Sequence, residues 1–142
     1  MKTIKQILDI KGNKVFVTAP DTQIVDAVKE MAKMKVGALI VLQNDEIQGI
    51  ITEQDFTRRV LLKELDTENT TVKDVMTKDI EVIEPKQTIN EGMEIMTIKR
   101  IRHLPVLDDG KLVGIISIGD LVKEVIAEQE TIIEQLEQYI HS

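Results

Sequence analysis

The chain has 142 residues, of which 42% are hydrophobic and only 2% aromatic. This length suffices for one compact module, and so few rings exclude base stacking as the main way of holding a ligand or a nucleic-acid strand. The formal net charge of −7 repels phosphate polymers and acidic membranes, so neither nucleic acid nor a membrane is an expected partner. The absence of cysteine excludes disulfides, thiolate nucleophiles and sulfur-ligated zinc. Without a signal peptide or a membrane-length apolar run, we expect a soluble, cytoplasmic protein.

An internal repeat organises the chain, because residues 15–56 align without a gap on residues 80–121. The offset is constant: Pro20 corresponds to Pro85, and every other matched pair is likewise 65 positions apart. The preceding segments correspond as well, but the first copy has three extra residues around Lys11 to Lys14. These observations predict a first repeat over 1–66, a second repeat over 67–125 and a C-terminal helical extension over 126–142.

Each copy has the pattern strand, helix, strand, strand, helix. In the first copy, a short apolar run at 15–17 precedes apolar residues at helical spacing from Ile24 to Met31. Two further apolar runs, 38–42 and 47–51, flank a polar turn and predict a hairpin, and a new helix follows near Thr52. Neither copy buries its sheet well alone. We therefore predict an α/β (α+β) fold in which two pseudo-twofold-related repeats pack sheet to sheet.

From Val122 onward, apolar residues recur in steps of three and four, which predicts a long amphipathic C-terminal helix. The residues of this pattern are Val125, Gln129, Ile132, Leu136 and Tyr139, widened by Ile126, Ile133 and Ile140. Five glutamates and one basic residue between Lys123 and Glu137 disfavour an acidic membrane. The apolar face therefore requires a protein surface. A homodimer partner is expected, with the chain's own core or a different protein as alternatives.

The residues at the end of each copy resemble a known family. Gly49-Ile50-Ile51-Thr52-Glu53-Gln54-Asp55-Phe56 and Gly114-Ile115-Ile116-Ser117-Ile118-Gly119-Asp120-Leu121 resemble the signature ending of CBS repeats, and Ile101-Arg102-His103-Leu104-Pro105-Val106 resembles the segment that opens their second strand. The chain thus resembles a tandem CBS pair, or Bateman module, that stands alone. The resemblance implies two clefts for an adenosine ligand, namely AMP, ADP, ATP or NAD, with S-adenosylmethionine ranked after these, and no catalytic cofactor.

The resemblance also implies which residues bind the nucleotide. Asp55 and Asp120 would hold ribose hydroxyls, and Thr52 and Ser117 would support the ribose or the phosphate. The cleft near Asp120 would take base-lining contacts from the opposite repeat, from Ala19, Ile24, Val36, Gly37 and Ala38. The cleft near Asp55 would use Glu84, Ile89, Ile101, Arg102 and His103.

Elementary chemistry is consistent with these binding roles, and it is also consistent with purely structural roles for the same residues. A carboxylate accepts hydrogen bonds from vicinal hydroxyls and repels phosphate, so an aspartate suits the sugar. Phosphate needs cations, and Arg100, Arg102 and His103 concentrate donors at the second repeat, where the first copy is less basic. A hydroxyl residue followed three positions later by an acid is equally a helix-capping box, and a basic cluster is also typical of a solvated turn.

The function class follows from what the chain contains. Two histidines, no cysteine and no glycine-rich phosphate loop leave no basis for nucleophilic or metal chemistry, so we expect no enzyme activity and no metal site. The expected function is a regulatory module that senses energy or cofactor state by binding an adenine nucleotide, which a regulated protein partner reads. The alternative is a structural dimerisation or adaptor module whose clefts stay empty.

Overall fold

The computed structural model describes residues 2–141, which form two compact units. The repeat-1 unit comprises Val15–Glu81, and the repeat-2 unit combines the N-terminal segment to Lys14 with the chain from Val82 onward. The elements in chain order are α1 (Ile4–Lys11), β1 (Val17–Thr18), α2 (Ile24–Met34), β2 (Ala38–Gln43), β3 (Glu46–Thr52), α3 (Glu53–Asp55, continued by a π-helix over Phe56–Leu61), α4 (Val72–Val75), α5 (Ile89–Lys99), β4 (His103–Asp108), β5 (Lys111–Ser117) and α6 (Ile118–His141). The predicted α/β class and both hairpins are confirmed. The repeat limits at 1–66 and 67–125 stay a prediction.

The two hairpins have the same construction. β2 pairs antiparallel with β3, and β4 with β5, and the register shifts at corresponding places, between Val41 and Leu42 and between Val106 and Leu107. The first turn uses Asn44 and Asp45, and the second uses Asp109 and Gly110, all with positive φ. Two central residues of positive φ are the geometry of a type I′ hairpin turn, whose twist suits antiparallel strands.

The core of the repeat-1 unit lies between α2 and the sheet. Ile24, Ala27 and Met31 recur at helical spacing, so they form one face of α2. They pack with sheet residues and with the short helix α4, through Leu39, Val41, Ile51, Val72, Val75 and Met76. Thus α4, which lies within the predicted second repeat, completes the core of the repeat-1 unit.

The repeat-2 unit is completed in the same way by α1. Its core combines Ile4, Ile7 and Leu8 of α1 with residues of α5, β4, β5 and α6, namely Ile89, Met96, Leu104, Val106, Ile116 and Leu121. α1 begins at Thr3 in a capping box with Gln6. The two attachments match in detail. The Ile4 N–H donates to the Gln87 carbonyl in one unit (2.8 Å), and the Val72 N–H donates to the Thr22 carbonyl in the other (2.8 Å).

The leading strand of the repeat differs between the copies. β1 pairs parallel with β2 in the first copy, whereas the second copy has only an isolated parallel bridge between Ile83 and Val106. The Ile40 N–H donates to the Phe16 carbonyl (3.0 Å) in the first copy. In the second copy, the residue equivalent to Ile40 is Pro105, which has no backbone N–H. The equivalent hydrogen bond therefore cannot form, and the parallel strand pairing is shorter in this copy.

The predicted C-terminal amphipathic helix is confirmed as α6, which runs without a break from the end of β5. Leu121 and Glu124 are buried, and the Lys2 side chain pairs with Glu124 at 2.6 Å. From 129 to 141, every residue is exposed. Across residues 2–141, no helix combines the length and apolar character needed to cross a membrane.

Candidate functional site

The two predicted ribose aspartates occupy equivalent positions at helix starts. The Ser117 N–H donates to Oδ2 of Asp120 (2.8 Å), and the Asp120 N–H donates to the Ser117 Oγ (3.2 Å). At the start of α3, the Thr52 N–H donates to Oδ2 of Asp55 (3.0 Å) and the Asp55 N–H to the Thr52 Oγ1 (3.1 Å). Both motifs therefore form capping boxes, which satisfy backbone donors of the first helical turn. The ribose role of these aspartates stays a prediction.

In each unit, the residues at the start of the first hairpin strand, β2 or β4, lie next to the helix start that carries the aspartate. In the repeat-2 unit, His103 is in register with Ser117, and the Ile118 N–H donates to the Arg102 carbonyl (2.8 Å). In the repeat-1 unit, Ala38 is in register with Thr52, and the Glu53 N–H donates to the Gly37 carbonyl (3.1 Å). Each unit thus brings its hydroxyl and its aspartate next to the segment that opens the second strand.

Sequence reasoning missed one residue of the site, Lys11. Its Nζ donates to Oδ2 of Asp120 (2.7 Å) and to the Ile115 carbonyl (2.8 Å). Lys11 is the last residue of α1, and Gly12 ends that helix with φ of 95°, its N–H donating to the Leu8 carbonyl. The available signal was the insertion around Lys11 to Lys14, the one place where the first copy is longer than the second.

The charges of this cluster shift its pKa values. Burial of the Asp120 carboxyl raises its pKa, but hydrogen bonds from Lys11 and the Ser117 backbone outweigh that effect and leave the pKa below its ordinary value. Burial lowers the pKa of His103, assisted by Lys11 and Arg102 and opposed by Asp120. His103 is therefore uncharged at neutral pH, and the positive charges of the cluster are those of Lys11 and Arg102.

The environment of Asp55 is different. The Thr77 hydroxyl donates to Oδ1 of Asp55 (3.1 Å), and Nε of Arg59 lies 3.8 Å from the same oxygen. Oδ2 accepts from both the Thr52 N–H and the Thr52 hydroxyl, so both carboxylate oxygens are engaged. At the position equivalent to Arg59, the second repeat has Glu124, which pairs with Lys2. The first copy thus holds its aspartate firmly, with 8% of the residue exposed.

The remaining predicted site residues lie in two groups. Ala19, Ile24, Val36, Gly37 and Ala38 belong to the repeat-1 unit, and Glu84, Ile89, Arg100, Ile101, Arg102 and His103 belong to the repeat-2 unit. Ile24 and Ile89 lie inside the cores of their own units. Arg100 ends α5 with φ of 56°, as Lys35 ends α2 with φ of 57°. The base-lining combination across the repeats stays a prediction.

Metal chemistry has no visible centre in the part of the chain that the structure describes. Within residues 2–141, no group of three or more His, Asp or Glu side chains gathers that could hold a metal ion. The Asp120 cluster consists instead of a carboxylate, a hydroxyl, an uncharged imidazole and cations. Such a set can accept hydrogen bonds from a sugar and donate to an anion.

Comparison with known proteins places this chain in a family. The CBS domain model matches residues 7–62 and 72–127. A putative signal-transduction protein with CBS domains from Burkholderia ambifaria is 46% identical with a TM-score of 0.87, over 90% of this chain and 96% of that one. A mitochondrial CBS domain-containing protein of Arabidopsis thaliana is 36% identical over 97% of this chain and 71% of its own. A CBS domain pair solved with 5′-methylthioadenosine and S-adenosyl-L-methionine is 24% identical with a TM-score of 0.75, over 87% of this chain and 99% of that one. This chain belongs to the CBS domain family and carries two CBS domains in tandem.

Proposed function

We propose that this chain is a regulatory module without catalysis that binds an adenine nucleotide, AMP, ADP, ATP or NAD, at the Asp120 site. The observation that carries the proposal is the Asp120 carboxylate at the start of α6, which is 24% exposed and paired with Lys11, while Arg102 lies close enough to the neighbouring His103 to lower its pKa. A ribose needs an accessible acceptor, and its phosphate needs cations nearby. Support also comes from the CBS pair that holds two adenosine compounds in a fold of this kind.

Asp120 has room for a second set of hydrogen bonds. The bonds that it accepts from the described residues fall on Oδ2, from Ser117 and Lys11. Oδ1 is the oxygen on which we place a ribose hydroxyl, while Oδ2 continues to cap the helix. The start of α6 adds backbone donors suited to a nearby anion.

The Asp55 site is less suited to the same ligand. Its carboxylate oxygens already accept from Thr52 and Thr77, and Arg59 lies beside them. A ribose would have to break these bonds inside a buried environment, which costs the full desolvation of each group left unpaired. We therefore propose one nucleotide per chain, bound at Asp120.

The binding test compares Asp120→Asn with the unaltered chain by calorimetric titration against AMP, ADP, ATP, NAD and S-adenosylmethionine. Asparagine keeps an oxygen that can cap the helix but removes the charge that strengthens hydrogen bonds from hydroxyls. We expect one ligand per chain, a nucleotide preferred over S-adenosylmethionine, and an affinity about tenfold to a hundredfold weaker in the variant. Asp109→Asn, in the β4–β5 turn, is the control with the same change of charge.

Two results would contradict the proposal. If Asp120→Asn binds AMP and its 2′-deoxy analogue as tightly as the unaltered chain does, Asp120 is a helix cap and not a ribose ligand. If none of the five compounds binds or raises the melting temperature at millimolar concentration, the structural adaptor alternative stands, because a ligand of the folded state must stabilise it by mass action.

We further propose that a second copy of this chain covers the exposed C-terminal part of α6, residues 129–141. An isolated helix shorter than about 12–15 residues is marginal in water, so residues 129–141 need a partner surface. Their apolar residues are widely exposed, with Leu136 at 56%, Tyr139 at 81% and Ile140 at 73%. Such a face on an otherwise folded helix is typical of a coiled-coil or bundle interface.

The pattern of this face is self-complementary. The glutamates at 130, 134 and 137 lie off the stripe, so two acidic copies can meet without opposing charges on the seam. Gln129 interrupts the stripe, and an amide can pair with the same amide of an identical helix in register, as polar residues do in coiled-coil seams. A cytoplasmic homodimer, read by a regulated partner protein, is thus the assembly that we propose.

Deleting residues 130–142 tests the assembly without disturbing the core, because the Glu124 and Glu128 contacts with Lys2 remain. We expect light scattering to give a dimer for the full chain and a monomer for the truncated one at micromolar concentration. Leu136→Glu, which places a charge on the stripe, should act like the deletion, and Glu134→Gln should not. A truncated chain that dimerises with unchanged affinity would show that the stripe serves another contact.

A further inference from the structure

Lys11 holds the carboxylate to which the proposed function assigns the ribose. Its ammonium lies between Oδ2 of Asp120 at 2.7 Å and the Ile115 carbonyl at 2.8 Å. The side chain is 30% exposed, so it can leave this position without crossing the core. A lysine carries three donors on a flexible stem, and it can exchange one acceptor for another at little strain.

This lysine distinguishes one site of the pair. Lys11 belongs to the insertion that the second repeat lacks at its own start, and Gly12 turns the chain away directly after it. At the equivalent aspartate, Asp55, the partners outside the capping box are Thr77 and Arg59, and neither is a lysine. Among the residues that the structure describes, only the Asp120 site therefore has an ammonium on its aspartate, supplied by the separate helix α1.

Competition between Lys11 and the ribose hydroxyls for Asp120 determines which ligands Lys11 can favour. Of the two vicinal ribose hydroxyls, one would bind Oδ1 of Asp120, and the other would compete with Lys11 for Oδ2, because an oxygen already holding an ammonium is a poorer acceptor. An ammonium released from its carboxylate loses an ion pair unless another anion is near. The 5′-phosphate of the same ligand is such an anion. The Asp120 carboxylate would repel this phosphate, and the Lys11 ammonium between them would offset that repulsion.

We propose that Lys11 makes the Asp120 site selective for adenosine ligands with a 5′-phosphate, because its ammonium moves from Asp120 to that phosphate when the ribose hydroxyls bind. This inference rests on the proposed function at Asp120. Adenosine and its uncharged 5′-methylthio derivative would displace Lys11 without offering it an anion. Lys11 would therefore weaken their binding while strengthening that of AMP and its higher phosphates.

The test is a pair of titrations, AMP and adenosine, against the unaltered chain and Lys11→Met. In the variant we expect AMP to bind about tenfold to a hundredfold more weakly, as for loss of a charge-assisted hydrogen bond. Adenosine should bind as well as before or better, because its competitor for Asp120 is gone. The preference for AMP over adenosine should thus collapse. Lys5→Met removes the same charge from an exposed position of the same helix and should leave the preference unchanged.

Two further variants separate selection from simple support of the fold. Lys11→Arg keeps the cation and should keep most of the preference, whereas Lys11→Gln keeps a hydrogen-bond donor to Asp120 and should lose it. Thermal unfolding of each variant shows whether the fold is intact. If Lys11→Met and Lys11→Gln weaken AMP and adenosine by the same factor, or change neither, the inference is wrong while the nucleotide site stands. If the unaltered chain binds neither ligand, the proposed function fails, and the inference fails with it.

Discussion

Asp55→Asn should destabilise the fold markedly and leave nucleotide binding in place. The Asp55 carboxylate accepts hydrogen bonds from the Thr52 N–H, the Thr52 hydroxyl and the Thr77 hydroxyl, at 3.0, 3.1 and 3.1 Å. Asparagine retains one acceptor oxygen and turns an N–H₂ group toward donors at the other. A hydrogen bond to a charged acceptor contributes about 1 kcal/mol more to the free energy of unfolding than a neutral one. Removing the charge that these three hydrogen bonds share should therefore lower the free energy of unfolding by about 2–3 kcal/mol.

Asp120→Asn is the matched comparison for this prediction. Its lost partner is Lys11, and the pair is partly exposed, with side chains 30% and 24% accessible. Partly exposed ion pairs contribute about 0–1 kcal/mol, and asparagine still caps the helix, so the expected loss is about 1 kcal/mol or less. Stability is best followed by urea unfolding with circular dichroism, because the chain has no tryptophan and one tyrosine.

The two variants should therefore rank in opposite order in a stability assay and in a binding assay. Asp55→Asn should lower the free energy of unfolding more than Asp120→Asn does, yet keep the affinity for AMP within about twofold of the unaltered chain, well under the 1.4 kcal/mol of a tenfold change. A loss of stability at Asp55 no larger than at Asp120 would refute the hydrogen-bond argument. A loss of AMP affinity as large as that of Asp120→Asn would refute the assignment of a single ligand site.

Two more predictions concern the packing and the acid response of the units. Gly49→Ala would place a Cβ 2.5 Å from the Thr77 carbonyl, whereas Gly114→Ala would place one 2.8 Å from a methyl group of the Leu8 side chain. A backbone carbonyl yields less than a side chain, so urea unfolding should show a loss of about 2–3 kcal/mol for the first and about 1 kcal/mol for the second, and an equal or reversed order would contradict this. Because burial lowers the pKa of His103 below 6.5, its contribution to stability is complete above that pH and is lost as the pH falls through the folded value. His103→Gln should therefore flatten the fall in unfolding free energy between pH 7 and pH 5, and an unchanged slope would show that another group is responsible.

Patterns that depend on near neighbours were visible in the sequence. The hairpin turns follow from residues that tolerate positive φ, and the capping boxes from a hydroxyl and an acid three positions apart, because both structures form within one turn of chain. The duplication predicted that each such feature would occur twice. The residues that end each copy indicated the family by resemblance, and the apolar spacing past the last repeat predicted the long amphipathic helix. These predictions needed no knowledge of which segments meet.

The features that distinguish the two copies required the tertiary structure. Lys11 and Asp120 are 109 positions apart, and nothing in the local pattern of either residue indicates the other. The exchange of α1 and α4 between repeats likewise depends on which core leaves room for a short helix, which the repeat alignment does not reveal. Asp55 and Asp120 occupy equivalent positions of the two copies, but Thr77 reaches the first and Lys11 the second. Local bonding determined that both aspartates cap a helix, whereas long-range packing decided that the side chain of Asp120 stays more exposed than that of Asp55.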